Sequence, residues 1–134
     1  MFKSKFMKVI SFEEHGPPEV MKIISTNIPE LKPNEVLLKV YAAGVNRPDL
    51  LQREGKYLPP KDASEILGLE ASGEVVLKGK KVSKWDKGDK VTALLHGGGY
   101  AEYVKVHENH CLSIPNGISM TEAAGICENY FTVW

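Results

Sequence analysis

Apolar residues fall in short runs along this chain, and turn-forming residues separate them. Met7–Phe12 is apolar and runs into His15-Gly16-Pro17-Pro18; Val20–Ile24 follows, then Ile28-Pro29. Lys32-Pro33-Asn34 precedes the longest run, Glu35–Ala43. Ala71–Leu77 and Lys90–Leu95 are rich in β-branched and apolar residues, Tyr100–Val106 alternates, and Leu112–Ile114 is a last short run before Pro115-Asn116-Gly117. Seven short strands at this spacing predict a small antiparallel barrel or sandwich. Helix signals are few. Arg47–Arg53 predicts a short helix, with Asn46 as cap, Pro48 in the first turn and Asp49 near the positive end. Thr121–Ala124, opened by Ser119, predicts another. Asn129–Trp134 is apolar with no capping residue or glycine, and reads as the start of an element.

The chain has 134 residues, enough for one domain with a real core. Lys plus Arg is 17 and Asp plus Glu is 17, so the net charge is zero and predicts neither nucleic acid nor an acidic membrane as partner. No apolar run approaches the ~20 residues of a membrane span. The N-terminus lacks a long apolar segment and a small-residue cleavage site, so it reads as mature protein. Two cysteines, Cys111 and Cys127, are too few for a disulfide framework and favour a reducing, cytoplasmic setting.

A few residues sit where chemistry is plausible. Gly44-Val45-Asn46-Arg47-Pro48-Asp49 opens a polar turn directly after an apolar strand, which suits either a plain turn or a site at a strand mouth. Glu70 stands in the apolar run Ile66–Ala71, where a carboxylate needs a partner or its pKa rises. A structural ion pair is expected there, with Arg47 one candidate partner. Gly97-Gly98-Gly99 lacks the G-x-G-x-x-G spacing and predicts a hairpin turn. His107-x-x-His110-Cys111 has metal-like residue types, but on a strand edge its side chains are not expected to converge. Trp85 and Trp134 read as packing residues.

Taken together, AAGVNRPDLLQREGKYLPP, ILGLEASGEV, KGDKVTALLHGGGYAEYV and IPNG…EAAGICENYFTVW resemble the medium-chain dehydrogenase/reductases. The similar branch is the zinc-free NAD(P)H:quinone oxidoreductases, zeta-crystallin among them; the combination NRxDLxQRxGxY with LGLExSG is most like the tumour-suppressor-inducible type. The resemblance implies a mainly β, GroES-like partial barrel with a few short helices over residues 1–127. It implies a connecting helix beginning over 128–134 and leading to a Rossmann domain that this sequence does not contain. In zinc-dependent members a cysteine ligand follows the Gly-Val pair, and a Gly-His-Glu run supplies a histidine. Here those positions are Asn46 and Leu69, neither of which suits Zn²⁺, so no metal is expected. Cys127, close to where a third ligand would fall, is expected to be a core thiol.

The implied activity is NADPH-dependent reduction of quinones, or of other activated carbonyl or enal substrates, with the isolated chain inactive. The implied site residues are Asn46, catalytic and near the nicotinamide, with Tyr57 and Thr132 on the cofactor. Capping for Asn46, packing on Pro59 and Pro60 for Tyr57, and a purely helical role for Thr132 stand as alternatives. Expected partners are a small quinone and a second copy of the chain in a homodimer. A GroES-like self-assembling binding module without enzyme activity is the competing reading.

Overall fold

The computed structural model describes residues 5–134. Seven strands form: β1 Phe6–Ser11, β2 Lys22–Asn27, β3 Glu35–Ala43, β4 Glu70–Lys78, β5 Lys90–Leu94, β6 Tyr103–His107 and β7 Cys111–Ser113. Among the same residues are three short helices: α1 Arg47–Arg53 between β3 and β4, and α2 Met120–Ala123 and α3 Cys127–Val133 after β7. The strand over 35–43 and the helix over 47–53 have the bounds the sequence predicts. The strand expected over Val20–Ile24 is shifted. Pro17 and Pro18 open a 3₁₀ turn over Pro18–Val20, and the strand starts only at Lys22, in antiparallel register with β1.

β3 to β7 form one antiparallel sheet in the order β6-β3-β4-β5-β7, while β1 and β2 pair separately. The expected strand Tyr100–Val106 divides between these two sheets. Tyr100–Glu102 bonds β1, with Ile10 N donating to Tyr100 O at 2.9 Å and Glu102 N to Lys8 O at 3.0 Å. From Tyr103 the chain pairs with β3. This handover wraps the β1–β2 ribbon onto the main sheet and makes the partial barrel.

The glycine run is not a hairpin turn. β5 and β6 are separated by β4 and β3, so Gly97–Gly99 is a crossover. It runs along the segment before β4: Gly98 N donates to Ile66 O at 2.7 Å, Gly99 N to Gly68 O at 3.0 Å and Tyr100 N to Leu67 O at 2.9 Å. Gly68 permits this approach, because a Cβ there would lie 2.6 Å from Gly99 Cα and its φ is +105°.

The core fills the barrel between the sheet faces. Val36 and Leu38 from β3, Val75 from β4, Val91 and Ala93 from β5 and Val104 and Val106 from β6 form one cluster. Trp85 packs against it as expected and anchors its indole N–H on Glu108 O at 2.9 Å. Trp134 does not: it is fully exposed, because α3 turns its last residues away from the sheet. Two register shifts interrupt the β3–β4 ladder, the second between Val40 and Ala42. A bulge there bends β3 just before its polar end.

Candidate functional site

The site grows from the end of β3. Gly44 carries the chain out of the strand, and a side chain at this position would run into the Glu70 carboxylate. Asn46 then caps α1 in extended conformation, and its backbone N–H donates to Asp49 Oδ2 at 2.9 Å. Its side chain reaches across the mouth: Nδ2 donates to Glu70 Oε1 at 2.8 Å. Asn46 is therefore both a helix cap and a mouth residue.

Glu70 begins β4 and is buried. Its other oxygen, Oε2, accepts the backbone N–H of Glu128 at 2.9 Å. The expected ion pair does not form. Arg47 is exposed on α1, and among the described residues no Lys or Arg reaches Glu70. A primary amide and a helical N–H supply the donors instead, satisfying the buried oxygens without a second buried charge.

Asp49 is a hub that the sequence reading noted only as a helix-end charge. It is buried, and besides Asn46 it accepts Gly68 N at 3.0 Å and the Tyr100 hydroxyl at 3.2 Å. It thus ties α1 to the segment before β4 and to the glycine crossover. Burial first, then the Asp49 charge and hydrogen bond, pushes the Tyr100 phenol well above its ordinary value. The three-residue spacing from Asn46 to Asp49 is a capping signature that marked the helix start; nothing local marked Gly68 or Tyr100 as partners.

α3 closes the mouth from the far side. Cys127 is buried, its sulfur 3.4 Å from Thr92 Oγ1, and burial raises its thiol; it is the core thiol expected. Glu128 follows it, half-buried. Burial pushes its carboxyl up, and the Glu70 and Asp49 charges push it further. The other two expected site residues are not gathered at Asn46. Thr132 is exposed and donates to Glu128 O at 2.6 Å, one turn back in α3. Tyr57 lines a cavity of about 590 Å³ with Phe12, His15, Gln52 and Pro59, and that lining includes neither Asn46 nor Thr132.

The histidines depart from expectation. His107 and His110 do come together, ring centroids 5.7 Å apart, because the 3₁₀ turn Glu108–His110 folds the strand end back. His96, two residues past β5, joins them at 5.4 Å from His110. Among the described residues no three His, Cys, Asp or Glu side chains are arranged to hold a metal ion.

An open antiparallel barrel with a strand-end mouth closed by short helices defines the GroES-like class of β domain. Residues 32–116 match the family model described as the alcohol dehydrogenase GroES-like domain, and the chain belongs to that family. A quinone oxidoreductase of Sus scrofa is 38% identical over 130 residues, which is 96% of this chain and 40% of that protein. The solved quinone oxidoreductase of Coxiella burnetii superposes with a TM-score of 0.83 at 35% identity, covering 90% of this chain and 40% of the other. A probable oxidoreductase from Mycobacterium abscessus gives a TM-score of 0.85 at 33% identity, covering 95% and 41%. The chain thus spans about 40% of the length of the relatives it matches.

Proposed function

We propose that this chain is the substrate-side domain of a zinc-free, NADPH-dependent quinone oxidoreductase. The observation that carries the reading is the link from Asn46 Nδ2 to Glu70 Oε1 at 2.8 Å. It puts an amide, fixed by a buried acid, where zinc-dependent members of the resembled family carry a metal ligand. Leu69 at the second ligand position supports the same reading. Two relatives named as quinone oxidoreductases, one known by sequence and one by structure, support the reaction class.

The residues described fit only one end of a dinucleotide. They include no glycine-rich turn of the pyrophosphate-binding kind. Asn46, Tyr57 and Thr132 are the side chains proposed to meet the nicotinamide end, and residues 128–134 to begin the connection to a nucleotide-binding domain. When bound, the nicotinamide supplies hydride; this domain's part is to orient the quinone and exclude water. A quinone accepts reducing equivalents readily and needs no Lewis acid.

The test compares the 134-residue chain with a version extended through a Rossmann domain. The chain alone is expected to turn over little or no quinone, and the extended protein to do so with NADPH and without zinc. Robust turnover by the isolated chain, or a requirement for about one zinc per extended chain, overturns the reading.

A further inference from the structure

We propose that the seam of the partial barrel is a binding site for a small organic carboxylate, held by His96, His107, His110 and Lys105 over an apolar lining. The site lies apart from the mouth, since neither Asn46 nor Glu70 lines it, and the proposal is independent of the quinone reductase reading.

The seam follows from strand order. β6 and β7 are the two edges of the main sheet, and the turn Glu108–His110 leads straight from one to the other. Among the described residues β6 pairs only with β3, and no strand lies against its other edge. A cavity of about 320 Å³ opens there, at the low end of the ~300–1,000 Å³ usual for small-ligand pockets. All five residues of β6, Tyr103–His107, line it, and so do residues 94–98 from the end of β5 and the crossover. Side chains alternate between the two faces of a strand, so five in a row border one space only along the strand's edge. The cavity therefore fills the gap where a closed barrel would carry a ladder, and backbone polar groups share its wall with side chains.

Its lining is of two kinds. Met7, Leu95, Val104 and Val106 are buried and apolar. The others bring hydrogen-bond donors. His107 Nδ1 accepts the backbone N–H of Asn109 at 3.2 Å, so the neutral ring carries its proton on Nε2 and donates from there. The His110 ring centroid lies 5.7 Å from that of His107 and 5.4 Å from that of His96. Each of these rings has one N–H when neutral and two when protonated. Lys105 Nζ donates to Glu30 O at 3.2 Å and stands 3.7 Å from Glu35 Oε2, which leaves an ammonium N–H for a ligand. The acids lining the cavity are Glu35, offset by Lys105 and accepting Lys32 N at 2.7 Å, and the exposed Asp62. A carboxylate accepts what the imidazoles and the ammonium offer, and an apolar body on it covers the buried side chains.

Proton uptake accompanies binding. Burial, then His96 and His107, holds the His110 pKa below its ordinary value. Around the cavity His110 also faces Lys105, Tyr103, Glu35 and Asp62. On its own turn stands Glu108, whose Oε2 is held by Ser83 N and Lys84 N at 2.9 Å each, and the buried Cys111 follows it. An anion set among the imidazoles favours their charged form. It therefore raises the His110 pKa, and binding strengthens as pH falls.

The test is a titration of the 134-residue chain with benzoate, read on the imidazole NMR signals, which His96→Gln, His107→Gln and His110→Gln assign. The fourth histidine, His15, lines the other cavity and is the internal control. Benzoate is expected to move the signals of His96, His107 and His110 and to leave His15 in place. It is expected to bind more tightly at pH 5.5 than at pH 7.5, by up to about tenfold for each unit by which it raises the His110 pKa. Benzamide, of the same shape without the charge, is expected to bind more weakly. His96 is exposed, so His96→Gln spares the core; it is expected to weaken benzoate by about fivefold, the worth of one hydrogen bond. Benzoate that moves none of the three rings, or moves His15 as much, overturns the proposal. So does an affinity that is no higher at low pH, no higher than that of benzamide, or unchanged in His96→Gln.

Discussion

Asn46 and Glu70 are 24 residues apart in sequence and 2.8 Å apart across the mouth, the amide N–H₂ donating to a carboxylate that is 1% exposed. The pair joins the end of β3 to the start of β4 and gives the buried acid one of its two side-on donors. Asn46→Ala removes that donor and leaves Glu70 Oε1 unsatisfied inside the protein. The expected loss is about 1–3 kcal/mol of stability, read as a lower urea midpoint at unchanged slope. A midpoint equal to the parent's would mean that water replaces the amide and that the mouth is wet.

Gly44 and Gly125 make a matched pair for a second prediction. A methyl group on Gly44 enters the space of the Glu70 side chain, whereas one on Gly125 meets only Glu122 O at 3.9 Å, an ordinary contact. Gly44→Ala is expected to destabilise by about 1–3 kcal/mol through overpacking, and Gly125→Ala to be neutral or slightly stabilising. Thermal unfolding of both variants checks this; equal melting temperatures would contradict it.

The histidine cluster predicts a pH dependence of stability. Burial, then His96 and His107, lowers the pKa of His110. His110 and His96 line a cavity of about 320 Å³ with Glu35, Asp62 and Lys105. In the unfolded chain His110 takes its proton near the ordinary value of 6.5, while the folded chain resists it. The folded state therefore binds fewer protons in that window, and stability rises with pH there. This contribution is fully present above 6.5 and is lost as pH falls through the depressed folded value. Unfolding midpoints between pH 8 and pH 5 are expected to drop more steeply in the parent than in His110→Gln. Parallel curves would remove His110 from the account.

Tyr130, Phe131, Val133 and Trp134 on and after α3 are 69%, 50%, 87% and 105% exposed. Fully burying one large apolar side chain is worth about 1.5–3 kcal/mol, so this face is expected to drive self-association of the 134-residue chain. Light scattering after size exclusion is expected to show a concentration-dependent dimer that Trp134→Ser weakens. A sharp monomer at high concentration, with no binding of a hydrophobic dye, would count against it.

What the sequence by itself determined is local. The apolar run with a turn before it sufficed for the strand Glu35–Ala43, and Asn46, Pro48 and Asp49 sufficed for the helix Arg47–Arg53, because strand alternation and helix capping are decided by near neighbours. Motif order along the chain was enough for the GroES-like class. Only the tertiary structure decided the partners. Glu70 takes an amide and a backbone N–H rather than the charge of Arg47 because the guanidinium faces water while Asn46 faces the mouth. The glycine run Gly97–Gly99 became a crossover because two strands, β3 and β4, lie between the strands on either side of it in the sheet. His96, just past β5, meets His110, which leads into β7, because those two strands are neighbours in the sheet. Each of these is a contact between segments far apart in sequence, set by strand order, and strand order leaves no trace in the spacing of residues along the chain.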